Sequence, residues 1–408
     1  MSTEIIHESP TLKGAASDYW SRVKAGDIGA LPAILGLVVL CGIFGAMSDV
    51  FLTPGNFANL LTQAAAVIVI AMGLVFVLLL GEIDLSAGFA AGVSGAVLVI
   101  LITNHDVAWY IAFPISIMVG GLLGFILGTL VARVGIPSFV VTLAAFLAFQ
   151  GLLLLLAGEG GTIRIEDKTI LAVQNSNLSP ILSWVFFIVV AVAYVGTGLN
   201  RINTRRRAGL KSELVKLWVI KTTSLLLITG GAVFALTVER SNNPDLVSLK
   251  GIPYVVPLIL FLLAVGTFVL GRTAFGRHIY AVGGNAEAAR RAGINVKRVR
   301  IAAFVICSAL AAVAGMIFAS RQNSISPTTG GSSTLLYAVG AAVIGGTSLF
   351  GGKGKMRDAI LGGLVVAVID NGMGLLGYAA GIKFIVTGLV LLVSAGVDAV
   401  SRRGSSVS

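Results

Sequence analysis

The segment Gly276-Arg-His-Ile-Tyr-Ala-Val-Gly-Gly-Asn285-Ala-Glu-Ala-Ala-Arg-Arg-Ala-Gly293-Ile-Asn-Val296 is a polar, basic interlude between two apolar runs, at about 254–271 and 300–319. Asn285 is placed to cap a short helix, with Glu287 in its electropositive first turn and Arg290 and Arg291 near its negative end. Gly293 supplies a stop. A two-turn capped helix at the surface of a chain that is otherwise almost all apolar is suited to docking a soluble partner. The competing reading is a merely solvated loop.

The rest of the chain favours docking. Of 408 residues, 56% are hydrophobic and only 12% charged, about half the charged share of a soluble domain, so the chain reads as an integral membrane protein. Glycine is heavily used, at 51 residues, as expected where helices pack through small side chains. The net charge of +11 does not indicate nucleic acid, because the basic residues lie in short loops rather than on one soluble surface. Cys41 and Cys307 fall within apolar runs and read as packing residues. Residues 1–28 are expected to be a cytoplasmic N-terminal segment, with Lys13, Arg22 and Lys24 ahead of a retained signal anchor.

A bilayer core of about 30 Å needs roughly 20 apolar residues per helix. The sequence predicts twelve spans, at about 29–47, 57–80, 85–103, 108–132, 136–157, 180–198, 217–237, 254–271, 300–319, 333–349, 358–377 and 381–400. The third and tenth are rich in Gly, Ala and Ser and follow turn-like segments, so either could be a broken helix. With both termini cytoplasmic, including a tail at 401–408, the inner segments hold 22 Lys and Arg and the outer ones 6, as the positive-inside rule requires. Leu80-Gly-Glu-Ile-Asp-Leu-Ser-Ala-Gly88 and Ser326-Pro-Thr-Thr-Gly-Gly-Ser-Ser333 each join a long span to a small-residue span. They fall on opposite faces in this topology, the pattern of an inverted repeat with a substrate path at its interface.

Polar residues inside or between spans are the candidates for that path. Glu82, Asp84 and Ser86 read either as lining or gating a pathway or as an interfacial loop in which Asp84 or Ser86 caps the next helix. Gln63, Gln150 and Asn371 offer paired donors and acceptors suited to a hydroxyl-rich ligand, although for any one of them taken alone interhelical hydrogen bonding is the better explanation. Asp370 lies in the eleventh span with no basic partner close in sequence, and Gln322 and Asn323 precede the second turn-like segment. Few fixed charges argue against an ion channel. Gly345-Gly-Thr-Ser-Leu-Phe-Gly-Gly-Lys-Gly354 mimics a phosphate-binding loop, but Lys353 is followed by Gly354 rather than Ser or Thr. No catalytic, cofactor or metal site is expected: His7, His105 and His278 all lie outside the spans and no ligand cluster has metal spacing.

Three segments together, Gly81–Gly88, Gly283–Val296 and Gly345–Gly354, resemble the permease subunits of bacterial sugar ABC importers of the ribose, xylose, arabinose and galactoside type. The resemblance covers about residues 30–400 and implies an all-α polytopic fold with a ten-helix, vitamin-B12-permease-like core in the bacterial inner membrane. It implies a homodimer with ABC ATPase subunits below, an extracytoplasmic sugar-binding protein above, and surrounding lipid. The loop at 272–299 matches the family's coupling loop, which assigns Gly284, Asn285, Ala286, Glu287, Ala288, Ala289, Arg290, Arg291 and Gly293 to the ATPase contact. Residues 196–250 read as an insertion carrying the extra helices, as in the xylose branch. The expected function is therefore pentose import, xylose first, by alternating access. The rival is a secondary, ion-coupled sugar carrier, for which Asp370 would be the coupling carboxylate.

Overall fold

The structure is a computed structural model and describes residues 31–158, 161–208, 215–241 and 243–405. The expected N-terminal segment at 1–28 lies outside the described residues, as does the end of the tail beyond Ser405. In chain order the helices are α1 (Leu31–Met47), α2 (Pro54–Leu78), α3 (Ala87–His105), α4 (Trp109–Thr129, prolonged by a π turn at Leu130–Val134), α5 (Ser138–Ala157) and α6 (Lys168–Asn175). They continue as α7 (Pro180–Arg207), α8 (Val215–Thr237), α9 (Val255–Arg272), α10 (Ala274–Gly284), α11 (Ala286–Arg291), α12 (Val296–Gln322), α13 (Ser332–Ile344), α14 (Met356–Leu375) and α15 (Ala380–Ser405). Two short strands, β1 (Ile163–Arg164) and β2 (Ser324–Ile325), pair antiparallel.

Among the described residues nine helices are long and apolar enough to cross a membrane. Three shorter apolar helices, Leu31–Met47, Ser332–Ile344 and Ala380–Gly396, fall on the remaining three predicted spans. The protein is thus an all-α polytopic membrane protein. Of the two spans marked as breakable, the third is the continuous α3; the tenth is also one unbroken helix, the 13-residue α13, which stops at Ile344, short of the expected end at 349.

The chain divides into two units. The larger, 29–177 with 253–398, is built around α2 and α12, which pack on each other; α12 also packs against α3 and α4. Gly120, Gly124 and Gly128 lie one turn apart on α4, and a Cβ on any of them would meet α12 backbone at Ser308, Phe304 and Ile301 respectively. Small residues at four-residue spacing thus let two backbones approach closely, which is how helices associate where lipid removes the hydrophobic drive.

The second unit, in its described part, comprises 178–252 and the end of the chain from 399, and its long segment contains the stretch at 196–250 that the sequence reads as an insertion. Its α7 and α8 pack together, and the indole of Trp218 sits against Gly198. Both helices are largely exposed, as expected of surfaces meeting lipid. The loop after α8 is organised by one carboxylate. Glu239 accepts hydrogen bonds from the backbone N–H groups of Ser241 (3.0 Å) and Leu249 (2.9 Å) and from the Ser248 hydroxyl (2.7 Å), and Lys250 lies 3.6 Å away. These donors hold its pKa down at about 2. The neighbouring Arg240 donates to the carbonyls of Leu236 and Gly251.

Candidate functional site

The short helix at the centre of the sequence reading forms as α11. Asn285 has an extended backbone and its side-chain oxygen accepts the Ala288 N–H at 2.9 Å. Glu287 pairs with Arg290 at 2.6 Å and with Arg291 at 3.4 Å, all three side chains being largely exposed. Gly293 closes the helix at a φ of 84°, a conformation glycine adopts without cost. Ala289 is buried and anchors the inner face, so the charged face is presented outward on a fixed base.

Behind this helix the three recurring segments meet, and they meet through backbone. The Leu79 carbonyl, at the end of α2, accepts the Gly352 N–H at 2.8 Å. A Cβ on Gly283 would overlap that same carbonyl oxygen and stand 2.8 Å from the Gly352 nitrogen. A Cβ on Gly351 would lie 2.8 Å from the Gly283 oxygen and 2.9 Å from the Gly81 nitrogen. Tyr280 on α10 donates to the Gly354 carbonyl at 2.7 Å. The loop at 345–354 therefore uses its glycines for close packing against α10 and the 79–83 turn. It follows α13, not a strand, in keeping with the failed phosphate-loop match.

The Glu82–Ser86 segment continues from this junction and is tightly held. Glu82 Oε1 lies 3.0 Å from Arg300 Nε at the start of α12, a close ion pair without hydrogen-bond alignment. Ser138 accepts the Ile83 N–H at 3.3 Å, and Thr142 donates to the Ile83 carbonyl at 3.2 Å. Asp84 is fully buried; its Oδ1 accepts the Ser86 N–H at 2.9 Å and the Ser86 hydroxyl at 2.6 Å, so it organises the entrance to α3. Its role is thus close to the capping alternative, but inside the protein rather than at a wet interface.

The second turn-like segment meets the first, although the sequence topology separated them. From β2 the chain runs along α3 toward the N-terminus of that helix. Ile325 touches Gly95, Thr329 backs onto Gly92, and Gly330 and Gly88 are in backbone contact. The sequence topology put the segments at 80–88 and 326–333 on opposite faces and left their depth open; the structure brings Gly330 against Gly88 inside the bundle. The backbone of the second segment stays satisfied because the Thr329 hydroxyl accepts the Ser326 N–H at 3.0 Å and the Ser326 carbonyl accepts the Thr329 N–H at 3.0 Å. Non-helical backbone at depth is tolerated only where protein or a cavity surrounds it.

Four other predicted residues gather at the opposite end of α2 and α12. Gln63, Gln322, Asp370 and Asn371 line one cavity of about 410 Å³, with Asn59, Thr62, Phe318, Arg321 and Lys383. Asn371 exchanges two 2.9 Å hydrogen bonds with Asn56 and donates to Gln63 at 3.4 Å, so it ties α14 to α2. Asp370 does have a basic partner, Lys383, at 3.6 Å on α15. Asn323 is set apart: it ends α12 in a left-handed conformation and accepts a hydrogen bond from Asn175 at 3.0 Å. Gln150 lies on the exposed face of α5, outside both the junction and the cavity. Sequence reading missed Arg300, Tyr280 and Lys383. Each is an ordinary basic or aromatic residue in sequence and becomes informative only through a partner far along the chain.

A helical membrane bundle whose glycine-rich turns converge beneath an outward-facing capped helix has the build of a transport subunit, and comparison with known proteins gives its class. Residues 56–395 match the family described as branched-chain amino acid transport system / permease component, and the chain belongs to that family. Among curated proteins, it is 35% identical to the xylose transport system permease protein XylH of Escherichia coli (strain K12), over 95% of this chain and 96% of that one. It is 32% identical to XylH of Haemophilus influenzae over 94% of this chain and 99% of that one. Identity to the ribose import permease protein RbsC of Haemophilus influenzae is 27%, over 90% and 92% of the two chains. No solved structure matches. The chain is a multi-pass membrane permease of the sugar-transport type, near the xylose branch.

Proposed function

We propose that this chain is the membrane-spanning subunit of an ATP-driven importer of a pentose, xylose first. It works as a homodimer with ABC ATPase subunits on the α11 side and an extracytoplasmic sugar-binding protein on the other. The observation that carries the reading is the junction at Leu79, Gly283 and Gly352, which locks an outward-facing capped helix onto the turn that leads to α3. Closure of the ATPase pair pushes α11; the junction has no side chains to absorb the push, so Glu82–Ser86 and the base of α12 move with it. A shift there changes access through the bundle, because α3 and the re-entrant segment meet next to it.

The ion-coupled carrier is the weaker reading. Its coupling carboxylate, Asp370, sits in an ion pair with Lys383, and the carrier mechanism leaves α11 without a use. The deciding experiment expresses the permease with candidate ATPases and purifies it in detergent, with and without Glu287→Lys. Retention of an ATPase by the wild type and its loss in the variant support the importer. Xylose uptake driven by a proton gradient with no ATPase present would establish the carrier.

A further inference from the structure

The cavity at the far end of α2 and α12 has the makings of a sugar site, and this deepens the importer reading and rests on it. We infer that the cavity lined by Asn59, Gln63, Phe318, Gln322, Asp370 and Lys383 is a low-affinity station for a neutral aldopentose arriving from the extracytoplasmic side. At about 410 Å³ it lies within the range of about 300–1,000 Å³ typical of small-molecule sites.

Its lining is the set a sugar ring needs. A pyranose presents hydroxyls around its edge, each donor and acceptor at once, and flat C–H faces. Amides present a donor and an acceptor side by side, and a carboxylate accepts from two adjacent hydroxyls. Phe318 supplies an apolar ring among these groups. Among the described residues, no side chain or backbone group hydrogen-bonds the amides of Asn59 or Gln322, so they are free to turn to a ligand. Asp370 with Lys383 and Arg321 gives a mixed-sign rim rather than a single strong field, which suits an uncharged solute.

The position fits as well. The cavity spans α2, α12, α14 and α15 at the end of the bundle away from α11. From Asn59 to Leu79 along α2 is about 30 Å at 1.5 Å per residue, the thickness of a bilayer core. Cargo released there stands at the mouth while α11 stands at the opposite membrane face. Asn371 is engaged by Asn56 and also donates to Gln63 at 3.4 Å, so it holds the wall that Gln63 and Gln322 line. An open, water-competed site binds weakly, which lets cargo leave inward once the bundle rearranges.

The test uses the whole transporter, permease with ATPase and binding protein, in proteoliposomes. Gln63→Leu and Asp370→Asn are each expected to lower xylose uptake roughly three- to ten-fold, the effect of one lost hydrogen bond. Retention of the ATPase during purification serves as the folding control. In a second measurement a Thr62→Cys variant, on a Cys41→Ala background, is labelled with a bulky membrane-impermeant maleimide. Millimolar xylose is expected to slow that labelling. If wild type imports xylose but both variants match it and xylose gives no protection, the cavity assignment is overturned while the importer reading stands. Protection by leucine in place of xylose also overturns it. If the wild type imports no sugar with any ATPase, the importer reading itself has failed.

Discussion

The two ends of the α2–α12 pair are built from different materials. At the α11 end, Leu79, Gly81, Gly283, Gly351 and Gly352 pack backbone against backbone, with almost no side chain between them. At the other end, Asn56, Gln63, Asp370, Asn371 and Lys383 meet through polar side chains around an open cavity. Backbone contacts are stiff and carry displacement; side-chain contacts re-form at low cost and carry recognition. On the proposed reading, the first lies where force enters and the second where cargo arrives. The same two helices run through both, so the ends are joined by elements that do not bend easily.

The sharpest way to break this contrast is to put a side chain into the junction. Gly283→Val is expected to lose transport and most of the folded yield, at a cost above about 3 kcal/mol, because its first carbon already overlaps the Leu79 carbonyl. Gly284→Ala next to it meets nothing within 4 Å and should purify like the wild type. Equal monodisperse yields for the two in size-exclusion chromatography would remove the idea of a backbone lock.

Asn371→Ala comes next, expected to cost about 1–3 kcal/mol by leaving the buried Asn56 carbonyl oxygen without its donor. Its thermal midpoint should fall, whereas Gln63→Leu, at the same cavity, should leave the midpoint nearly unchanged. A smaller effect is expected at the link beside the junction. Glu82→Gln should lower stability by about 1–2 kcal/mol, since Arg300 is then left half-buried without its charge partner. The double exchange Glu82→Arg with Arg300→Glu should recover part of the loss; a double variant worse than the sum of the singles would argue against a specific pair.

On α11 the ordering reverses. Glu287→Lys removes only exposed pairs and should lower stability by less than about 1 kcal/mol, yet it should abolish ATPase retention. The smallest effect belongs to the second unit, whose loop after α8 is held by a titratable group. Glu239 is depressed from 4.5 to about 2, so its carboxylate stabilises the loop fully above pH 4.5 and loses that contribution as pH falls toward about 2. Proteolysis at 243–250 should accelerate across that window and not in Glu239→Gln, which is already loose at neutral pH.

Much of this was legible in residue type and order. Each of the twelve apolar runs became a helix because length and hydrophobicity act locally, and the capped helix at Asn285 formed because its signals lie within eight residues of one another. The tenth span illustrates the limit. The Ser, Thr and Gly content before it announced a turn-like segment at 326–333, but not that this segment re-enters the bundle, which depends on Gly88 and Gly92 leaving room for it on another helix. Asp370 shows the same limit electrostatically. It lacks a partner in its own helix and finds one in Lys383, beyond a turn at Gly377.

The sequence by itself determined that this is a polytopic helical membrane protein, where its helices run, and that a short capped helix forms at Asn285 between two of its spans. Those are properties of composition, period and local capping, readable over tens of residues. Only the tertiary structure decided that the three segments close on a single carbonyl at Leu79, that Glu82 is answered by Arg300, and that four scattered polar residues share one cavity. Such pairings span up to 315 positions along the chain. They are fixed by which helices pack, and that is a property of the whole bundle rather than of any stretch within it.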